Sequence, residues 1–444
     1  MSSTEVQRRG VLRGLMALGG LALTKPLAGC APMMAGPSNM TPPGPGRWWE
    51  LPILEEPVMT NQLLWNLGLA QHRLTDIGEC LSTASRIRGV EDVQWFEAWL
   101  ATAERVRAVG EASDRAGHAL SAGQTLLRAS QYYRAALIRY PRPDDPRLRQ
   151  ATEASERTYD RAIELLRMPA RRVRIPYEST FLHGYFYRTP NSTSRAPTII
   201  LHQGFHAHPE ETMWAIDGGM RRGYNVLAFH GPGQGVQLRL YNMPFRHDWE
   251  RVVSPVVDFA LTLPEVDPNA LILKGLSMGG ALAPRAAAFE PRLNVCVANP
   301  GVLDWYGAMI AKLGEFPGLL EALRTSPEAF NAAVGVSLES SPAAKWWFRD
   351  ATWKHGAASP ADLLHKLREY TNVPIVERIR CKTLVMDGVD EEFSVGQAQR
   401  LYDALRCPKH YMLFDAQDTG QLHCQTGALA VAEQRMFDWL DDNL

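Results

Sequence analysis

The run "LILKGLSMGGALAPRAAAFE", residues 271–290, sets Ser277 between Gly275 and Gly279, after an apolar stretch and before a series of small residues. A serine hydroxyl is a poor nucleophile at neutral pH; it needs a base, and the base needs an orienting carboxylate. The C-terminal quarter of the chain offers both, in the order serine, acid, histidine. His423 stands in "QDTGQLHCQTG", ahead of the helical "ALAVAEQRMFDWLDD". Four acids, Asp387, Asp390, Glu391 and Glu392, gather at and after the apolar run "TLVMDG". Three residues on from Gly388 falls Glu391; Asp390, one position earlier and one methylene shorter, is the alternative acid. Acyl chemistry also needs two backbone N–H groups to hold a developing oxyanion. Met278, directly after the serine, is one expected donor, and Phe205, in the loop after "TIILHQG", is the other.

A GxSxG pattern alone is weak in a chain with 35 glycines. Its context strengthens it. "LILK" reads as a strand that ends at Gly275, and Gly279, Gly280 and Ala281 open a helix. So sharp a strand-to-helix turn strains the apex residue, tolerates no bulk two positions to either side, and aims helix N-terminal amides at the same space. Pro284, about a turn and a half in, removes one helical donor.

Other elements must bring these residues together. "APTIILHQG", "YNVLAFHG", "ALILKGLS", "LNVCVANP", "KTLVMDG" and "KHYMLFDA" are short apolar runs ending in turn residues, and several alternate with helical stretches. That alternation predicts a largely parallel sheet covered on both faces. "RRVRIPYE" and "FLHGYFYR" predict a preceding pair of strands. Residues 58–170 carry apolar residues at helical spacing, interrupted at "PRPDDPRL", and predict four or five antiparallel helices with Trp and Tyr in their core. Residues 171–444 form the second domain, with a helical insertion over about 302–376 that reads as a cap.

Net charge is −1 and the basic residues are scattered, so no field points to nucleic acid. The six cysteines, Cys30, Cys80, Cys296, Cys381, Cys407 and Cys424, have neither CxxC nor zinc spacing. They read as mostly buried thiols, with a Cys381–Cys407 disulfide left open.

The N-terminus reads as an address. Arg8 and Arg9 precede an apolar stretch too short to span a bilayer, which ends at "LAGC". This resembles a twin-arginine export signal over residues 1–30 closing on a lipobox, with Cys30 as the lipidated residue. The expectation is an exported bacterial lipoprotein, periplasmic or at the cell surface, tied to the membrane through its lipid and spaced by a Pro/Gly-rich tether over 31–57.

His202, His206, His208 and His230 fall near the ends of adjacent strands. No acid or cysteine at ligand spacing supports a metal there, so none is assigned; His206 and His230 read as substrate-contacting or hydrogen-bonded.

"HQGF…PEE", "GYNVLAFHGPGQG", "GLSMGG", "APRAAAFEPR", "GQAQRLYDAL" and "HCQTGALAVAEQRMFDWLD" together resemble the α/β-hydrolases. More narrowly they resemble the group that holds 2,6-dihydropseudooxynicotine hydrolase and the fungal pigment-pathway hydrolases that shorten a polyketide. The likeness runs through nearly all of residues 58–444. It implies an α/β-hydrolase fold: a mostly parallel eight-stranded sheet, an α-helical N-terminal domain and a helical insertion. It also implies a Ser277, Glu391 (or Asp390), His423 triad between the two domains, acting on a small-molecule carbonyl substrate without a cofactor. Some members of the group cleave a carbon–carbon bond beside a ketone and others cleave esters; relatives are often homodimers. Where relatives commonly carry Asp, this chain has His206 and His230. Two other readings stand beside hydrolysis: acyl transfer or cyclisation in a dry pocket, and an anchored binding protein on a hydrolase scaffold.

Overall fold

The computed structural model describes residues 53–444, apart from 193, 315–317 and 340. The expected signal, its Cys30, and residues 31–52 of the expected tether lie outside the described residues.

Eight strands, β1 (Ala170–Tyr177), β2 (Thr180–Tyr187), β3 (Ala196–His202), β4 (Asn225–Phe229), β5 (Val266–Leu276), β6 (Val295–Asn299), β7 (Lys382–Gly388) and β8 (Lys409–Phe414), form one sheet. Their order is β1-β2-β4-β3-β5-β6-β7-β8. β1 and β2 make an antiparallel hairpin whose turn holds Glu178 in the left-handed region, at φ 46°. β2 runs antiparallel to β4, and every later pairing is parallel.

The parallel strands are apolar on both faces because helices cover both. In β3, Ile200 joins Val253 and Val256 of helix Glu250–Thr262 and Ala283 of helix Gly279–Ala287. Its neighbours Ile199 and Leu201 point the other way, to Trp214, Met436 and Phe437. A one-residue slip would exchange the two cores.

Before the sheet come the helices Pro57–Gly68, Ile77–Ala84, Asp92–Arg115, Ala119–Leu137 and Pro146–Leu165. Local chemistry sets their starts. Asp76 accepts the Glu79 N–H at 3.1 Å, and Asp145 accepts the Arg147 N–H at 2.9 Å, beside Pro146 in the first turn. Trp95, Phe96, Trp99, Tyr132 and Tyr133 are fully buried between the helices. Trp95 also donates its Nε1–H to Ala135 O at 2.7 Å. Trp95→Ala is expected to cost about 3–5 kcal/mol, read as a lower midpoint in denaturant unfolding. The bundle docks on the sheet through Tyr159 and Tyr187, whose hydroxyls lie 2.6 Å apart, and through Trp65 and Leu69, which share a core with Trp214.

Between β6 and β7 the chain forms the helices Trp305–Leu313, Leu319–Thr325, Pro327–Glu339, Pro342–Lys354 and Pro360–Leu367. Three begin with proline, and Ser341 and Ser359 cap two of them, each accepting a backbone N–H at 3.2 Å. Cys381 and Cys407, the pair left open above, are both free thiols.

Candidate active site

β5 turns directly into helix Gly279–Ala287, and Ser277 occupies the bend at φ 60°. That left-handed conformation costs a non-glycine residue about 1–2 kcal/mol. Ser277 N–H bonds Asn299 O at 2.6 Å, and Ser277 O accepts the Gly280 N–H at 2.7 Å, which fixes the apex. The flanks must be small: a Cβ on Gly275 would sit 2.0 Å from Gly279 O. Pro284 cannot donate to Gly280 O, and the Val302 N–H takes that place at 3.1 Å.

His423 lies in the loop between β8 and the final helix, Leu429–Asn443. Its Nε2 is 2.9 Å from Ser277 Oγ, and its Nδ1 is 2.7 Å from Glu391 Oε2. The other oxygen of Glu391 accepts the backbone N–H groups of Phe393 at 2.8 Å and Ser394 at 3.0 Å, and the Ser394 hydroxyl at 3.3 Å. Burial opposes the charge of this carboxyl, but His423 and these donors outweigh it and lower its pKa. On His423 burial opposes the imidazolium, while the Cys424 sulfur and the Glu391 carboxylate favour it; the pKa is raised well above 6.5. Of the two candidate acids it is Glu391 that meets the ring. Asp390 is half-buried and gives its backbone N–H to Gln421 O at 2.9 Å.

Gly204 and Phe205 follow β3 and press against the bend. A Cβ on Gly204 would fall 2.5 Å from Met278 N and 2.8 Å from the Ser277 Cβ, so only glycine lets the loop come this close. The expected donors, Met278 and Phe205, thus flank the serine from two chain segments.

Ser277 and His423 open into a cavity walled by three parts of the chain: the N-terminal helices give Val58 and Trp65, the sheet edge gives Phe205, and the cap gives Trp305, Met309 and Trp346. The lining is mostly apolar, with Asn61, Gln62 and Lys312 among its polar members.

Of the four strand-end histidines, His206 lines this cavity. Burial, then the Lys354 ammonium, pushes it down to about 4, so the neutral ring donates from Nε2 to Asp350 at 3.1 Å. His230 follows the hydrogen-bonded reading, and its substrate-contacting reading is corrected: it is not among the residues that line the cavity. It is fully buried, with Nε2 on Glu210 Oε1 at 2.8 Å. No acid is expected beside these histidines, yet Glu210 completes a group with His208 and His230 whose ligand-type atoms lie within 4.8 Å of one another. Arg134 Nε stands 3.8 Å from Glu210, and Arg239 donates to His208 at 3.4 Å. A divalent cation there would meet two guanidinium groups, so the donor set does not suit one. The cap residues Trp346, Asp350 and Lys354 carry no sequence signal of their place at this site, for Asp350 and Lys354, four apart on a helix, look like an ordinary surface ion pair.

The sequence profile described as "Alpha/beta hydrolase family" matches residues 181–429. A 20-hydroxy-prefusarin hydrolase of Gibberella moniliformis is 30% identical over 397 residues, 84% of this chain and 94% of its own length. The hydrolase acrC of Aspergillus aculeatus is 31% identical over 395 residues, 83% of this chain and 92% of its own. The crystal structure of a 2,6-dihydroxy-pseudo-oxynicotine hydrolase superposes with a TM-score of 0.67 at 22% identity, covering 85% of this chain and 96% of that one. These relatives correct the expected localisation. The curated proteins that the chain resembles are fungal hydrolases, which points away from a bacterial lipoprotein. Paired arginines, an apolar stretch and "LAGC" are short, low-information patterns that composition alone can supply.

Proposed function

Because the chain belongs to the alpha/beta hydrolase family, we propose that it is a serine hydrolase that cleaves a small carbonyl compound through an acyl-enzyme. The observation that carries this reading is the unbroken relay from Ser277 Oγ to His423 to Glu391, at 2.9 and 2.7 Å, opening into an apolar cavity.

Ser277 Oγ attacks the carbonyl carbon as His423 Nε2 takes its proton. Glu391 holds the ring with Nδ1–H toward the carboxylate and stabilises the imidazolium. The Met278 and Phe205 N–H groups receive the oxyanion. Collapse breaks the bond to the leaving group, which takes the proton from His423; water, deprotonated by the same nitrogen, then releases the acid. The leaving group is either an ester oxygen or a carbon. A carbon leaving group must delocalise its electron pair as an enolate or phenolate, so carbon–carbon cleavage requires a β-dicarbonyl or acyl-arene substrate. The hydrolase-named relatives support the reaction class, not the choice between these bonds.

A fluorophosphonate probe should form one adduct, on the peptide containing Ser277, detected by mass spectrometry. Absence of that adduct from folded protein, or its appearance elsewhere, would sink the reading. The apolar walls favour a second outcome for the acyl-enzyme, capture by a hydroxyl or amine of the substrate itself. Product mass separates the two: hydrolysis adds one water and internal capture adds none.

A further inference from the structure

We propose that Lys354 of the cap helix Pro342–Lys354, together with Gln234 of the "GPGQG" turn, are positioning residues that clamp the Gly204–Phe205 segment and so aim the Phe205 N–H at the oxyanion. The inference rests on the serine hydrolase reading above.

The loop after β3 has no regular hydrogen-bonding partner strand at this point, so its peptide orientations depend on side chains. Gln234 holds it from the sheet side. Its Nε2 donates to both Gln203 O and, at 3.3 Å, Gly204 O, while its Oε1 accepts the Gly231 N–H at 3.0 Å. In a trans peptide the C=O and N–H point in opposite directions. With Gly204 O turned to Gln234, the N–H of Phe205 in the same peptide faces away from Gln234, and Gly204 itself packs against Ser277 and Met278.

Lys354 holds the next carbonyl from the cap side. Its Nζ donates to Phe205 O at 2.7 Å and stands 4.4 Å from the centre of the Phe205 ring. Both Lys354 and Asp350 are almost wholly buried, and their ion pair is 2.7 Å long. A buried ammonium is tolerated only with such partners. Asp350 also accepts from His206, the residue after Phe205, so two consecutive loop residues are tied to one turn of the cap. One turn earlier on the same helix, Trp346 stacks on His206 at 5.0 Å and lies under the Arg139 guanidinium, just past the N-terminal helix Ala119–Leu137, at 4.4 Å from the ring centre. Oxyanion donor, cap and bundle are one packed unit.

The test is the rate of Ser277 phosphonylation by a short-chain fluorophosphonate, whose transition state places charge in the same hole. Lys354→Met, close in volume but without a donor, should lower the limiting labelling rate about 10–100-fold and change the probe's half-saturation concentration less than threefold. Lys354→Arg, which retains charge and N–H donors, should recover most of the rate. Should Lys354→Met not fold, Asp350→Asn unties the same ammonium and should slow labelling in the same direction. Wild-type labelling rates in folded Lys354→Met, or equal slowing by the Met and Arg variants, would overturn the clamp. Labelling that persists in Ser277→Ala would instead overturn the serine hydrolase reading.

Discussion

Ser277→Ala is expected to lower kcat by about 10⁴- to 10⁶-fold, with the residual rate set by binding and the oxyanion donors alone. KM should move little, since the hydroxyl contributes to the transition state rather than to ground-state affinity. The same position allows a sharper test. Ser277 is held at φ 60°, where glycine is at ease. Ser277→Gly should be as inert as the alanine variant yet unfold at higher denaturant, by about 1 kcal/mol, because it relieves the left-handed strain. A glycine variant no more stable than the alanine variant would mean that the bend stores no such strain.

The second large effect belongs to Glu391. Glu391→Gln keeps the size of the side chain and removes the charge that faces His423 Nδ1 at 2.7 Å. A loss in kcat of about 10⁴-fold is expected, since the ring is no longer held in the tautomer that accepts the Ser277 proton. The pH profile carries the sign. His423 acts as a base only when neutral, and its pKa is raised above 6.5. The wild-type kcat/KM should fall as pH drops through that raised value, so the acid limb lies above pH 6.5. Removing the carboxylate removes a cause of the raised pKa, so the limb of Glu391→Gln should move to lower pH while the plateau drops. An unmoved limb in a folded variant would assign the acid role elsewhere.

The strands and the bend were legible because their signals are local. Apolar runs closed by Gly, Pro or Asn give the sheet, and small residues on either side of Ser277 give the turn. The carboxylate that meets His423 was half legible: counting from Gly388 reaches Glu391, but only the distances separate it from Asp390. What stayed hidden depends on partners remote in sequence. His230 is explained by Glu210, twenty positions away, and Lys354 by a carbonyl 149 positions away. No periodicity encodes such pairings. A charged pair on a helix reads as solvent-facing until something covers it.

Ser277 and His423 meet across 146 positions of chain, whereas the helices Asp92–Arg115 and Ala119–Leu137 pack on their immediate neighbour. Closing so long a loop is entropically slow, and parallel pairings wait on it, while an adjacent helical hairpin does not. During renaturation, recovery of helical signal should outrun recovery of turnover. The N-terminal helices have the contacts of an early-condensing platform, and the relay is finished only when the last strands find their register.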